Sequence, residues 1–239
     1  MQRFEVIGFD GDDTLWHNER LYANAQAKFK ELLACYHNPE WVGERLYQAE
    51  VRNLPHFGYG IKAFTLSMIE TAVELTEGRI TGSDVQTIID TAKEMLAAEI
   101  ELLEHVPDTI GRLANSYTLI LITKGDLRDQ ETKIARSGLD SYFRLIEIVS
   151  DKCPESYSRL LRRHMISPER FLMVGNSMRS DILPVLALGA SAVYVPYHLT
   201  WMHEVSDSPP GDRPGFYEIE HLGLLPDLLE KLERSEIRP

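Results

Sequence analysis

The chain has 239 residues, with 25 Lys and Arg against 37 Asp and Glu for a net charge of −12, and it is 44% hydrophobic with 2 cysteines. That length supports one large domain, or a domain carrying an insertion, around a sizeable core, and the apolar and charged fractions exclude wholesale disorder. The acidic balance argues against nucleic acid and membrane surfaces as partners, and Cys35 and Cys153 alone cannot form a disulfide framework or a Cys-rich zinc site. The N-terminal stretch lacks the apolar core of a signal peptide, and no apolar run approaches the ~20 residues of a membrane helix. The expectation is a cytoplasmic protein.

Five short, nearly continuous apolar runs read as buried parallel strands. The first, 4–9, ends in Asp10. About a hundred residues without a comparable strand follow. They carry helical periodicity over 21–36, 41–53, 60–75 and 83–103, punctuated by Pro39, Pro55, Gly78 and Gly82, with Ser83 as an expected N-cap. The second strand is 117–122, ending in Thr123, and from there strands at 145–149, 171–174 and 192–195 alternate with helix-like stretches at 129–137 and 155–164. A polar loop at 206–215, an edge strand at 216–219 and a closing helix at 226–232 complete the chain. This alternation predicts an α/β fold with a doubly wound, mostly parallel, Rossmann-like sheet. Residues 1–16 and 106–239 are expected to form the core, and 17–105 a helical cap inserted after the first strand.

Open α/β sheets bind ligands at the carboxyl ends of their strands. After the first strand come Asp10, Asp12, Asp13 and Thr14; after the second, Thr123, Lys124 and Gly125. Ser150, Asp151 and Lys152 follow the third, and Gly175, Asn176, Ser177, Ser180 and Asp181 the fourth. Carboxylates, a hydroxyl and lysines at one sheet edge suit a hard cation together with a phosphate.

The run Asp10-Gly11-Asp12-Asp13-Thr14-Leu15 resembles the first motif of the haloacid dehalogenase-like superfamily. Ile122-Thr123 is similar to its second motif, Lys152 to its third, and the stretch from Gly175 to Asp181 to its fourth. The resemblance runs from Phe4 to about Pro196 in the right order, in the form with a helical cap (the C1, subfamily I phosphatase type). It implies a Mg²⁺-dependent phosphatase that hydrolyses a small phosphorylated metabolite through an aspartyl-phosphate.

The chemistry each residue would supply follows from its type. A phosphate dianion repels an anionic nucleophile, so a cation must offset both; Asp10 can be ligand and nucleophile. Asp12 suits a general acid–base and must hold a proton despite a normal pKa near ~3.9, so its side chain should stay off the metal and near negative charge. The family binds Mg²⁺ through this residue's backbone carbonyl, and Asp12 also separates phosphoryl transfer from dehalogenation, which lacks it. Thr123, with the backbone N–H groups of Lys124 and Gly125, can bind phosphoryl oxygens, and Lys152 can neutralise developing charge, with Lys124 a rival. Asn176 stands where the family usually has Asp, which leaves a neutral carbonyl as ligand. Asp181 is a candidate ligand or an anchor for metal-bound water or Lys152. The expected metal set is therefore Asp10, Asp12, Asn176 and Asp181. Trp16, His17 and the 57–62 stretch are candidates to touch the leaving group, whereas His198 and His203 read as surface residues. A phosphomutase on the same core, and a catalytically impaired regulatory or binding protein, are the alternatives.

Overall fold

The computed structural model describes residues 3–205, 211 and 213–236. Most of the polar loop expected at 206–215 lies outside them. The chain divides into two compact units, Met1–His17 with Ile100–Lys124 and Gln130–Pro239, and Asn18–Glu99 with Gly125–Asp129.

The first unit is built on six parallel strands: β1 (Val6–Phe9), β2 (Thr118–Lys124), β3 (Leu145–Val149), β4 (Phe171–Gly175), β5 (Ser191–Tyr194) and β6 (Phe216–Glu218). Their order is β3-β2-β1-β4-β5-β6. Both faces are covered, which is why the strands read as continuous apolar runs. One face carries Ile7, Phe9, Leu119, Leu121, Leu172 and Val174, packed with Val106 and Ile110 of α5 (Val106–Leu113) and Leu225 and Leu229 of the closing helix (Leu225–Glu236). The alternate residues Val6, Ile120, Ile122, Phe171 and Met173 pack on the other face against Tyr157, Leu160 and Leu161 of α7 (Pro154–Arg163). Gly8 makes room for this layer, since a Cβ there would lie 2.7 Å from the Phe171 ring. The winding direction reverses beside β1, so the carboxyl ends of β1, β2 and β4 flank a topological switch point.

The second unit holds four helices: α1 (Glu19–Leu32), α2 (Pro39–Phe57), α3 (Ile61–Leu75) and α4 (Gly82–Ala97). Their buried faces share one apolar cluster, including Phe29, Leu46, Phe64, Met68 and Ile88. Three details depart from expectation. Thr81, not Ser83, caps α4, because Thr81 and Asp84 form a reciprocal capping box. Pro55 does not end α2: the helix runs on to Phe57, and Gly58 at φ 70° stops it. The final helix ends at Ala97 rather than running to 103. Residues beyond it return to the sheet unit, where His17 N–H donates to the Glu101 carbonyl at 2.9 Å and Leu103 N–H to that of Leu15 at 3.0 Å. These bonds place His17 and 100–105 with the sheet, against the expected boundaries of 17 and 105.

Candidate active site

Asp10 emerges from β1 with its N–H donating to the Val174 carbonyl of β4 at 2.9 Å, which fixes it between the two strand ends. A tight turn follows. Leu15 N–H donates to the Gly11 carbonyl at 2.8 Å, and Asp13, in the left-handed region at φ 59°, donates its N–H to the Trp16 carbonyl at 2.7 Å. Gly11 is required sterically, since a Cβ there would stand 2.7 Å from the Trp16 ring.

The centre of the site is an ion triad. Lys152 Nζ contacts Asp10 Oδ1 and lies 2.7 Å from Asp181 Oδ1. All three side chains are buried. Asp181 is seated by the Ser177 N–H, which donates to its Oδ2 at 3.0 Å, and by Gly175, where a Cβ would fall 2.3 Å from that oxygen. Burial pushes the Asp10 carboxyl up to about 7, opposed by the Lys152 ammonium and reinforced by Asp181 and Asp12. Burial works against the Lys152 ammonium, but the two carboxylates outweigh it and raise its pKa. The Tyr157 hydroxyl, buried near Asp181 and Asp10, is raised well above 10.0 for the same reasons of burial and negative charge.

On the other side of Asp10 stands Asn176. Its neighbours orient the amide nitrogen toward Asp10 Oδ2 at 3.2 Å, the Asp12 backbone carbonyl at 3.2 Å and Thr14 Oγ1 at 3.1 Å. Oxygens therefore converge on one polarised group. Turned over, the amide would present Oδ1 to the same point, giving a carboxylate, a backbone carbonyl and an amide oxygen. Hard oxygen donors of this kind, completed by water and phosphate oxygens, fit Mg²⁺. Among the described residues no three His, Cys, Asp or Glu side chains gather as a metal site, so the fit depends on a backbone and an amide oxygen. Of the expected metal set, Asp10, Asn176 and the Asp12 carbonyl come together, whereas Asp181 is engaged by Lys152.

The Asp12 carboxylate points elsewhere. It accepts from Trp16 Nε1 at 2.7 Å, from Gln130 Nε2 at 2.9 Å and from Lys133 Nζ at 3.1 and 3.2 Å. It is close enough to Asp10 for the two charges to interact, and the Lys133 ammonium also faces its oxygens. Gln130 links this group to Thr123, whose hydroxyl donates to Gln130 Oε1 at 3.1 Å. Gln130 and Lys133 sit one turn apart on α6 (Leu127–Ser137) and are both buried. Trp16 is fully buried, so it orients Asp12 rather than facing a leaving group.

Lys124 and Lys152 have separate partners. Lys124 Nζ contacts Glu204 and donates to Ser180 Oγ at 2.7 Å. His17 pairs with the Tyr197 hydroxyl at 2.7 Å, while His198 stacks on Tyr197 and His203 on Trp201. Gln130, Lys133 and Glu204 join the site without having been expected from the sequence. The first two had one available signal, polar residues on the face of α6 that also carries Ile134. Glu204 had none.

A family model for haloacid dehalogenase-like hydrolases matches residues 4–189. A solved haloacid dehalogenase-like family hydrolase from Xanthomonas campestris is 41% identical with a TM-score of 0.88, covering 99% of this chain and 95% of that one. The glyceraldehyde 3-phosphate phosphatase of Pyrococcus furiosus is 27% identical over 98% of this chain and 95% of its own length. That of Methanothermobacter thermautotrophicus is 32% identical over 41% of this chain, and the match spans about half of that relative, 48%. The family match over most of the sequence, together with the doubly wound sheet and the strand-end carboxylates, shows that this chain belongs to the haloacid dehalogenase-like hydrolases.

Proposed function

We propose that the protein is a Mg²⁺-dependent phosphatase acting on a small phosphorylated metabolite through an aspartyl-phosphate on Asp10. The observation that carries this reading is the buried Asp10 carboxylate, with one oxygen on the Lys152 ammonium and the other on the Asn176 amide, which also meets the Asp12 carbonyl. A carboxylate so neutralised can approach a phosphoryl group that would otherwise repel it. Asp10, the Asp12 carbonyl and Asn176 would hold Mg²⁺, which when bound offsets the charge shared between the phosphoryl oxygens and the nucleophile.

In the first step an Asp10 oxygen forms a bond to phosphorus as the ester oxygen departs, and Asp12 supplies the proton that the leaving alkoxide needs. The indole, amide and ammonium around Asp12 suit the carboxylate that this transfer leaves behind. In the second step Asp12 takes a proton from the water that attacks phosphorus, and Asp10 leaves as a carboxylate. Lys152 counters charge in both steps, and Thr123 can turn its hydroxyl from Gln130 to a phosphoryl oxygen. Asp12 also favours phosphate over halide release, because a departing halide needs no proton. The helical unit, by its position in the chain between β1 and β2, is assigned the selection of the leaving group. The phosphatases among the relatives make a triose phosphate the first compound to try.

The test is hydrolysis of p-nitrophenyl phosphate and of a phosphometabolite panel, with Mg²⁺ and with EDTA, beside Asp10→Asn. Release that needs Mg²⁺ and is lost in the variant is expected. Equal release by Asp10→Asn would remove Asp10 from its role.

A further inference from the structure

Glu204 lies beyond the residues that the family model matches. It ends a short 3₁₀ turn, Met202–Glu204, on which Met202 is exposed, as is the following Val205. The Glu204 carboxylate nevertheless turns inward. One oxygen contacts Lys124 Nζ; the other accepts from the hydroxyls of Ser177 and of Ser180, the latter at 2.6 Å. Burial opposes this charge, but Lys124 and the hydroxyl donors overcome it and hold the carboxyl at about 2. The side chain is therefore an anion at neutral pH.

Each of these contacts falls on a residue next to the site. Lys124 follows Thr123, Ser177 follows Asn176, and Ser180 precedes Asp181, the partner of Lys152. An uncompensated ammonium at Lys124 would put a second positive charge at the strand ends that hold Asp10. Such a charge attracts substrate, transition state and product phosphate alike, and uniform binding of this kind adds nothing to turnover once substrate is bound.

We propose that Glu204 is a positioning residue that holds and neutralises Lys124, leaves Lys152 as the cation serving Asp10, and thereby sets the affinity of the site for a phosphoryl oxyanion. The inference rests on the phosphatase reading above. It is tested by calorimetric titration of inorganic phosphate, at fixed salt and with Mg²⁺, into the wild type, Glu204→Gln, Lys124→Met and the double variant, with p-nitrophenyl phosphate turnover measured in parallel. Glu204→Gln keeps the shape but removes the countercharge, so phosphate should bind about fivefold more tightly or better, and Lys124→Met should weaken it by a similar factor. The double variant removes both charges together; it should fold even where a single variant does not, and return to within about twofold of the wild type. A double variant that stays about tenfold weaker would overturn the inference, because Lys124 would then touch the anion itself. Unchanged or weaker binding by a folded Glu204→Gln would also overturn it, reducing Glu204 to a staple for its turn. A wild type that neither binds phosphate nor turns over the ester would overturn the phosphatase reading and this inference with it.

Discussion

Replacing Lys152 by methionine removes the ammonium held between Asp10 and Asp181 while nearly preserving side-chain length. Because Lys152 and Asp181 are 4% and 0% exposed, water cannot replace the lost charge. Breaking a buried ion pair in this way costs about 3–5 kcal/mol. A second route gives a similar figure. Asp10 is already raised to about 7 beside Lys152, so the variant restores charge balance only if its carboxyl pair takes up one proton more than the wild type does; on a carboxyl of ordinary value 3.8 that costs about 4 kcal/mol at pH 7. That second cost shrinks as the pH falls. Because the folded variant then holds one proton more than the folded wild type, its stability relative to the wild type recovers at low pH and is lost as the pH rises. Urea denaturation should therefore show a deficit of about 4 kcal/mol at pH 7 that narrows to about 2 kcal/mol near pH 5.5. A deficit under about 1 kcal/mol, or one independent of pH, would refute the triad as the electrostatic centre of the site.

Glu204→Gln should lose stability with the opposite pH dependence. The folded carboxyl is held at about 2 against an ordinary 4.5, so about 3 kcal/mol is present above pH 4.5 and disappears as the pH falls through 2; urea curves parallel to the wild type across that window would contradict the assignment. Asn176→Asp adds a charge to the proposed donor set and should tighten the Mg²⁺ activation constant by about tenfold, whereas an unchanged metal titration would place Asn176 outside the metal's ligands. Trp16→Phe removes the indole donor on Asp12, a hydrogen bond to a charged group worth about 1.5–3 kcal/mol, and should lower kcat by about tenfold or more. Full activity in that variant would show that Asp12 needs no such orientation.

The sheet was legible because burial on both faces leaves an apolar run with no polar interruption, as in β1, β2 and β4. Each run ended in the residues that now define the strand-end site, so Asp10, Thr123, Lys152 and Asp181 could be named without coordinates. The contact of Asp181 with Lys152 was among the alternatives open there, but the partners of Asp12, Thr123 and Lys124 could not be named. Trp16 and Asp12 meet because Gly11 allows a turn tight enough for an indole to lie across it, and Gln130 reaches both Asp12 and Thr123 only after α6 has packed. The same limit explains the two lysines. Lys124 and Lys152 were equivalent on charge alone, and their partners, Glu204 for one and Asp10 with Asp181 for the other, lie 80, 142 and 29 residues away. The helical unit was visible from periodicity, but its edges depended on backbone bonds near Leu15 and His17 that leave no mark in composition.

The central claim is that Asp10 forms a covalent bond to phosphorus. It is tested most directly by mixing enzyme with a turned-over phosphate ester and Mg²⁺, quenching in acid, reducing with borohydride and sequencing the peptides by mass spectrometry. Reduction of an aspartyl-phosphate converts that residue to homoserine, and the account predicts the change at Asp10, absent without substrate. Homoserine at another aspartate, or intact Asp10 in an enzyme trapped during turnover, would contradict it.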